Sequence, residues 1–243
     1  MGLALVSSLV DLLFPPRCCL CHAIIFAKKE KELCPSCRSQ IRVIGRPLCD
    51  RCGFPFPFSS ATDRVCGPCL SQERPFRYSR QLGYYQGGLL EALHKFKYGK
   101  KVALAKPLGR MLAQMVTASL PAAAYEAIVP VPLFASRLKQ REFNQSLLLA
   151  RVIGRLLNKP VDYNSLVRVR WTEPQVGLTF AARRRNVRGV FAVKRKQAIA
   201  GRTLLLVDDV MTSGATLEEC SRTLLKAGAK AVDAVAVARA VGK

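Results

Sequence analysis

The segment LLLVDDVMTSGATLEEC, residues 204–220, decides the fold class of this chain. Its opening apolar run, residues 204–207, is typical of a strand that is buried on both faces of a parallel sheet. The adjacent acids Asp208 and Asp209 follow that run, and a turn of small residues then leads into a predicted helix over residues 216–227. Ligands of open parallel sheets bind beyond the carboxyl ends of the strands. We therefore expect two carboxylates beside a small-residue loop at such an end.

The small-residue loop consists of Thr212, Ser213, Gly214, Ala215 and Thr216. Small residues let backbone N–H groups approach an anion, hydroxyls add donors, and the N-terminus of the following helix supplies positive potential. The loop therefore predicts a phosphate site, while the preceding carboxylates would accept hydrogen bonds from sugar hydroxyls. A ribose 5-phosphate unit satisfies both halves. The alternative is a hydrophilic turn that only caps the helix. The sequence contains neither a G-x-x-x-x-G-K-[ST] loop nor a G-x-G-x-x-G fingerprint.

Strand and helix patterns alternate from about residue 76 to the end of the chain. This alternation predicts an α/β fold, a parallel sheet with helices on both faces. Strands are predicted over residues 78–85, 127–131, 161–169, 189–193, 204–207 and 232–238. Helices are predicted over residues 88–98, 102–119, 144–157 and 216–227, with a break at Pro107 and a C-terminal cap at Gly228.

Composition favours a folded protein with anionic partners. The chain has 243 residues, half of them apolar, which is enough for one sizeable α/β domain and a small appendage. It carries 39 basic and 16 acidic residues, a formal net charge of +23. Such an excess favours nucleic acid, anionic lipid heads or phosphorylated metabolites as partners, and simple solubility is the alternative.

Nine of the ten cysteines lie between Cys18 and Cys69. In a reducing compartment such clusters more often bind metal than form disulfides. Four Cys-x-x-Cys pairs can be drawn, and this spacing lets a tight turn aim two sulfur atoms at one ion. Gly53 suits the left-handed turn that a ligand knuckle needs. Sequential pairing predicts two structural zinc sites, one at Cys18, Cys21, Cys34 and Cys37 and the other at Cys49, Cys52, Cys66 and Cys69.

Alternatives to two four-thiolate sites stay open at this point. They are one occupied site, a redox dithiol or an iron–sulfur cluster, and either Cys19 or His22 could substitute as a ligand. A closed four-thiolate site leaves no position for substrate, so zinc there would fold the segment and not catalyse. Cys220 stands apart and is predicted to be a small buried apolar residue.

The N-terminal segment MGLALVSSLVDLLFPPRC, residues 1–18, predicts a short docking helix. It has no basic n-region and no small-residue cleavage site, so it is not expected to be a secretory signal. Asp11 and Pro15 interrupt the apolar run before it is long enough to span a bilayer. We expect a cytoplasmic protein without a transmembrane segment.

The motif VDDVMTSGAT resembles the signature of type I phosphoribosyltransferases, which bind phosphoribosyl pyrophosphate (PRPP) and magnesium. Together with the cysteine array it occurs in one order with ALHKFKYGKK (residues 92–101), IVPVPLFASRLKQREFNQS (128–146) and RVRWTEPQVGLTFAARRRNVRGVF (168–191). This combination resembles the ComF/GntX family of bacterial competence or DNA-utilisation proteins. The resemblance implies an N-terminal helix over residues 1–16, a double zinc ribbon over 17–75 and a type I phosphoribosyltransferase domain over 76–243.

The same resemblance implies a role for each part of the PRPP site. The loop over residues 129–136, including Val131 and Pro132, would meet pyrophosphate through backbone groups, with charge added by Arg137, Lys139 and Arg141. Asp208 and Asp209 would hold the ribose hydroxyls directly or through Mg²⁺, and residues 212–216 would bind the 5-phosphate. A mobile hood loop would close over the site with Gln175, Arg183, Arg184 and Asn186.

Two departures from the family pattern affect these expectations. Glu142 stands where glycine is usual, which disfavours a positive φ and places a negative charge near an anion loop. Ser213 stands where threonine is common but keeps the hydroxyl.

Two functions follow from the resemblance. The first is a PRPP-binding protein that handles single-stranded DNA during natural transformation or DNA utilisation, alongside a DNA-uptake helicase or translocation machinery at the inner membrane face. The second is an active metabolic phosphoribosyltransferase that transfers ribose 5-phosphate to a nucleobase or amine. A track for single-stranded DNA would use basic residues to contact phosphates: Lys95, Lys97, Lys100, Lys101 and residues 183–185 and 194–196. Bases would stack on aromatic residues, and the alternative is that these aromatics pack in the core: Tyr84, Tyr85, Phe96 and Trp171.

Overall fold

The computed structural model describes residues 14–26, 32–57, 62–172 and 180–241. The predicted N-terminal helix lies almost entirely outside these ranges. Within them, no helix has both the length and the apolar character needed to cross a bilayer.

The strands confirm the predicted parallel sheet. They are β1 Ser79–Tyr84, β2 Ala127–Pro130, β3 Leu166–Arg168, β4 Phe191–Val193, β5 Thr203–Met211 and β6 Ala231–Arg239. A four-stranded sheet has the order β1–β6–β5–β2, and each neighbouring pair is parallel. β3 and β4 form a separate antiparallel ribbon.

Helices cover both faces of this sheet. They are α1 Pro35–Ser39, α2 Gly67–Ser71, α3 Gly87–Lys97, α4 Ala105–Ser119, α5 Ala135–Arg141, α6 Gln145–Leu157, α7 Phe180–Val187 and α8 Ala215–Lys226. Leu205 and Val207 share one core cluster with residues of α3, α4 and α6. Leu204 and Leu206 share the other with residues of α8. The apolar run is therefore buried on both faces, as its composition predicts.

Three elements differ from their predicted limits. β5 does not end at Val207, because β6 pairs with it as far as Met211. The acids are therefore inside the strand and not beyond it. Only residues 166–168 of the predicted strand 161–169 are a strand, while Val161 makes a single bridge to Ile128. Pro107 does not break α4, because it lies in the first turn, where no intrahelical N–H donor is needed.

The two cysteine-rich segments pack on opposite faces of the sheet. Cys18, Cys34 and Cys37 belong to the core cluster that contains α3, α4 and α6. The second group of four cysteines belongs to the cluster of α8. Between the groups, the chain runs along β1: Ile44 N donates to Leu82 O at 3.0 Å and Tyr84 N donates to Arg42 O at 3.0 Å. This segment covers the edge strand, whose backbone groups would otherwise be exposed.

Candidate functional site

Each acid of β5 has a polar partner on a helix of the same core cluster. Ser146 Oγ, at the start of α6, donates to Asp208 Oδ1 at 3.1 Å. Lys97 Nζ, at the end of α3, lies 2.9 Å from Asp209 Oδ1. The Lys97 and Asp209 side chains are only 14% and 12% exposed. The Lys97 amine is therefore a buried cation that interacts with both neighbouring carboxylates.

Asp208 is electrostatically strained in the ligand-free site. Burial, followed by repulsion from Asp209, raises its pKa to about 7. The Asp209 N–H, Lys97 and Ser146 oppose that rise without cancelling it. The Lys97 amine keeps a raised pKa, because attraction to both acids outweighs the cost of its burial. A cation or a set of hydroxyl donors placed beside Asp208 would relieve this strain.

The small-residue loop contains a left-handed glycine at the start of α8. Gly214 is the N-cap of α8 with φ +83°, a left-handed conformation that favours glycine. A Cβ atom built on Gly214 would lie 2.7 Å from Met211 Cε, the flexible end of a side chain that can move, so the left-handed backbone and not packing is what favours glycine here. Ala215 N donates to Ser213 Oγ at 3.4 Å. The first turn of α8 therefore begins at this loop, with its N–H groups toward the strand end.

A buried carboxylate lies behind the same loop. Glu218 is 3% exposed in the first turn of α8. It is ion-paired with Arg74, which follows the second cysteine group, and with Arg184 of α7, whose Nη2 lies 2.7 Å from Oε2. The glutamate thus holds two guanidinium groups next to the loop and offsets part of their charge.

The predicted pyrophosphate loop runs from the end of β2 to α5. Val131 N donates to Val207 O at 2.9 Å, and Asn144 Nδ2 donates to Val131 O at 3.0 Å. Asn144 also accepts from Leu147 N as the N-cap of α6. These bonds hold the loop, with Val131 buried and Pro132 half-buried, beside the acidic residues of β5.

The Glu142 backbone adopts the conformation that glycine would favour. Its φ is +67°, and it is the C-cap of α5. Glutamate disfavours this conformation, as expected, but does not prevent it: the cap is retained at the cost of a left-handed non-glycine residue. The side chain is ion-paired with Lys100 and is exposed.

Cations of the site come partly from residues that the sequence did not single out. Burial and the nearby Arg141 lower the pKa of Arg137, whereas Lys139 is exposed on α5. Burial and the charge of Arg137 lower the pKa of Arg168, and the negative charge of Asp208 opposes that shift. Arg168 donates to Thr172 Oγ1, and its buried Nε has no partner among the described residues.

Sequence reasoning missed Arg168, Ser146 and the pairing of Lys97. Arg168 and Ser146 were inside motif segments, but nothing in their local pattern distinguishes them from ordinary polar residues. Among the hood residues, Arg183, Arg184 and Asn186 lie on α7, and Gln175 lies outside the described residues.

The predicted DNA track is changed on α3. Lys97 is held by Asp209, and Lys95 Nζ donates to Leu20 O at 2.9 Å. Phe96 is fully buried, so its role as a stacking group is wrong and core packing is correct. Trp171 remains 51% exposed.

The cysteines form the two groups predicted by sequential pairing. In each of the two sets, the sulfur atoms lie within 4.8 Å of one another: Cys18, Cys21, Cys34 and Cys37, and Cys49, Cys52, Cys66 and Cys69. Cys19 and His22 are not part of either set. Four converging sulfur donors fit a tetrahedral zinc ion, so both sites are consistent with structural zinc. Cys220 is fully buried, as expected.

Backbone donors prepare one thiolate in each set. Burial alone would raise the pKa of Cys18, but N–H groups of Cys21, Cys34 and Leu20 outweigh it and lower the pKa to about 6. Similar donors lower the pKa of Cys49 to about 7 against the effect of burial. Gly53 has φ +67°, and a Cβ there would lie 2.6 Å from Ser79 O. Glycine is therefore required both by the turn and by the contact with β1.

Comparison with known proteins agrees with this architecture. Residues 9–70 match a double zinc ribbon domain and residues 144–242 match a phosphoribosyl transferase domain. The chain is 33% identical over 232 residues to Competence protein F of Haemophilus influenzae, covering 92% of this chain and 97% of that protein. It is 32% identical to DNA utilization protein YhgH of Escherichia coli, covering 90% and 94% respectively.

A solved purine phosphoribosyltransferase from Pyrococcus horikoshii aligns with 56% of this chain and 82% of its own, with a TM-score of 0.36 and 15% identity. The two family matches and the near-complete relatives together establish kinship. The chain therefore belongs to the ComF/GntX family, in which a double zinc ribbon precedes a phosphoribosyltransferase domain.

Proposed function

We propose that this chain binds PRPP with Mg²⁺ at the C-terminal end of β5 and acts in cytoplasmic handling of single-stranded DNA during competence or DNA utilisation. One observation carries the PRPP part: two adjacent carboxylates near the end of β5 lie two residues before a glycine-capped loop at the N-terminus of α8. The carboxylates suit sugar hydroxyls, and the loop suits a phosphate.

In this proposal the ribose hydroxyls meet Asp208 and Asp209, and the 5-phosphate occupies the loop of residues 212–216. Carboxylate oxygens are ligands that Mg²⁺ prefers, so the acidic residues fit that ion as well. When bound, magnesium would neutralise charge on the pyrophosphate. Arg137 and Arg168 would add cations on the same side, where their mutual repulsion makes an anion favourable.

The DNA part is supported by charge and by the relatives. The net charge of +23 favours a polyanion, and Lys101, Arg185 and residues 194–196 are exposed. Relatives carry the names Competence protein F and DNA utilization protein. A DNA-uptake helicase or translocation machinery at the inner membrane face is the proposed partner.

Calorimetric titration with PRPP and Mg²⁺ tests the site. We expect wild type to bind and the Asp208→Ala/Asp209→Ala variant to lose most of that affinity. Glu91→Ala, which removes one exposed carboxylate from α3, is the control for loss of a carboxylate elsewhere and should bind as wild type does. Equal affinity in the double variant and wild type would refute the assignment of the acidic pair.

The DNA part has its own measurement. Affinity for single-stranded DNA should fall with salt, with a logarithmic slope of about 0.7 for each phosphate contacted. A slope near zero would exclude a multi-phosphate contact.

The alternative is an active metabolic phosphoribosyltransferase, which the phosphoribosyl transferase domain match favours. A pyrophosphate-release screen with PRPP, Mg²⁺ and a panel of nucleobases and amines separates the two. Brisk turnover with one acceptor would favour the enzyme, and no turnover with any of them would favour the binding role.

A further inference from the structure

A cavity borders the small-residue loop of residues 212–216, the proposed site of the 5-phosphate. It is a cavity of about 920 Å³ between the second cysteine-rich ribbon and the C-terminal ends of β5 and β6. Phe54, Phe56 and Pro68 come from the ribbon, while Thr212 and Ser213 come from the loop. The acids and cations assigned to ribose, magnesium or pyrophosphate are not among the described lining residues of this cavity. The cavity is therefore separate from the ribose side of the PRPP site.

Three arginines line this cavity: Arg74, Arg183 and Arg239. No carboxylate is found among the described lining residues, although Glu218 behind the wall is ion-paired with Arg74 and offsets part of its charge. Arg239 is only 8% exposed and donates to Cys52 O at 2.7 Å and to Gln81 Oε1 at 2.9 Å. The Arg74 side chain is 6% exposed, and its Nε has no partner among the described residues. Buried cations at a cavity wall favour an anionic occupant.

Two aromatic rings line the same cavity, next to arginine side chains. The Phe54 and Phe56 rings lie 6.3 Å apart at an interplanar angle of 70°. The Arg239 guanidinium lies 5.1 Å from the Phe54 centroid, and that of Arg64 lies 4.9 Å from the Phe56 centroid. Both rings are half-buried, so part of each is available to a planar group.

We propose that this cavity binds a nucleotide unit, with its base against Phe54 and Phe56 and its phosphate toward Arg74 and Arg183. Free phosphate would not need the aromatic wall, and an apolar ligand would not need three guanidinium groups. The volume is within the range of small-molecule sites. The unit can belong to single-stranded DNA or to a free mononucleotide, and only the DNA source rests on the proposed function.

Two probes distinguish the sources: a short fluorescein-labelled oligothymidylate, followed by anisotropy at physiological salt, and thymidine monophosphate, followed by calorimetry. The double variant Phe54→Leu/Phe56→Leu removes the rings and keeps apolar bulk. We expect it to weaken binding of the recognised probe by about 5- to 150-fold, since stacking on an aromatic residue contributes about 1–3 kcal/mol for each base.

A second variant does not depend on the ribbon's folding. Val241→Glu places a carboxylate at an exposed lining position. Leu156→Glu makes the same change on α6, at an exposed residue outside the cavity. We expect Val241→Glu to weaken binding several-fold more than Leu156→Glu. Zinc content and the thermal midpoint of unfolding show whether Phe54→Leu/Phe56→Leu is folded. If it is not, the comparison of Val241→Glu with Leu156→Glu tests the proposal.

The outcomes separate this proposal from the proposed function. Oligonucleotide binding that is unchanged in both cavity variants overturns the cavity and leaves DNA handling intact. Binding of thymidine monophosphate alone, lost in the variants, supports the cavity and overturns DNA handling. Binding of neither probe overturns both, while PRPP binding is judged by its own titration.

Discussion

Asp208 should lower the stability of the ligand-free protein, so Asp208→Asn should stabilise it. Raising the carboxyl pKa from its ordinary 3.8 to about 7 corresponds to an unfavourable free energy of at most about 4 kcal/mol once the group is ionised. Asparagine has the same shape, carries no charge, and can still accept from Ser146 Oγ and the Asp209 N–H. We expect the free energy of unfolding at about pH 8.5 to rise by about 2–4 kcal/mol.

The pH dependence gives this prediction its sign. The folded protein holds the Asp208 proton more tightly than the unfolded chain does, so wild type loses stability as the pH rises from about 4 to above 7. Urea denaturation should show the variant more stable than wild type by about 1–2 kcal/mol at pH 5 and by about 2–4 kcal/mol at about pH 8.5. Comparing the two proteins at each pH cancels the titration of the cysteines.

A neighbouring substitution provides the control. Asp209→Asn leaves the buried Lys97 amine without its carboxylate and should cost about 1–3 kcal/mol at either pH. The reasoning fails if Asp208→Asn is less stable than wild type at about pH 8.5, or if its effect is the same at both pH values. The stabilised variant should nevertheless bind PRPP poorly, because the proposed site uses the ionised Asp208 carboxylate to hold the ribose hydroxyls or Mg²⁺.

Three other substitutions or treatments have defined outcomes. Glu142→Gly should raise the free energy of unfolding by about 1 kcal/mol, because relief of a φ of +67° outweighs an exposed ion pair to Lys100, and urea denaturation measures this. Tyr125→Phe should cost about 1–2 kcal/mol in the same assay, since Tyr125 OH donates at 2.8 Å to Asp233, which is fully buried. Removal of zinc by a chelator should release two ions per chain and lower the thermal midpoint of unfolding. A colorimetric zinc assay measures the release and calorimetry measures the midpoint. Release of one ion or none, without a change in the midpoint, would contradict this prediction.

The sequence was most informative where one local pattern had one structural solution. The apolar run before Asp208 can be satisfied only by burial on both faces, and the Cys-x-x-Cys spacing brings sulfur atoms together whatever the fold around them. Gly228 likewise has φ +97° and lies just after α8, as its position predicted. In these cases, the physical constraint lies within a few residues.

Prediction failed where the deciding partner is distant in the chain. β5 continues through two acids, which strands disfavour, because β6 pairs with Asp208 and then with Met211. The salt bridge from Lys97 to Asp209 spans more than a hundred residues. Glu142 shows the converse, since a local preference against positive φ was overruled by the cap that α5 requires.

The second ribbon supports the loop of residues 212–216, the proposed phosphate site, and is not a separate appendage. Arg239 at the end of β6 pairs in register with Met211, the residue before the loop, and donates to the carbonyl of Cys52. Ala240 N then donates to Met211 O at 3.0 Å. Four thiolates around a zinc ion carry net negative charge, which offsets the buried Arg239 cation. Burial lowers the pKa of Arg239, and the cysteines of the second group oppose that shift without cancelling it. Loss of this zinc would leave Arg239 without its counter-charge at a strand end that also positions the phosphate loop. Metal binding in the ribbon and anion binding at the sheet should therefore be coupled, although the two sites share no ligand.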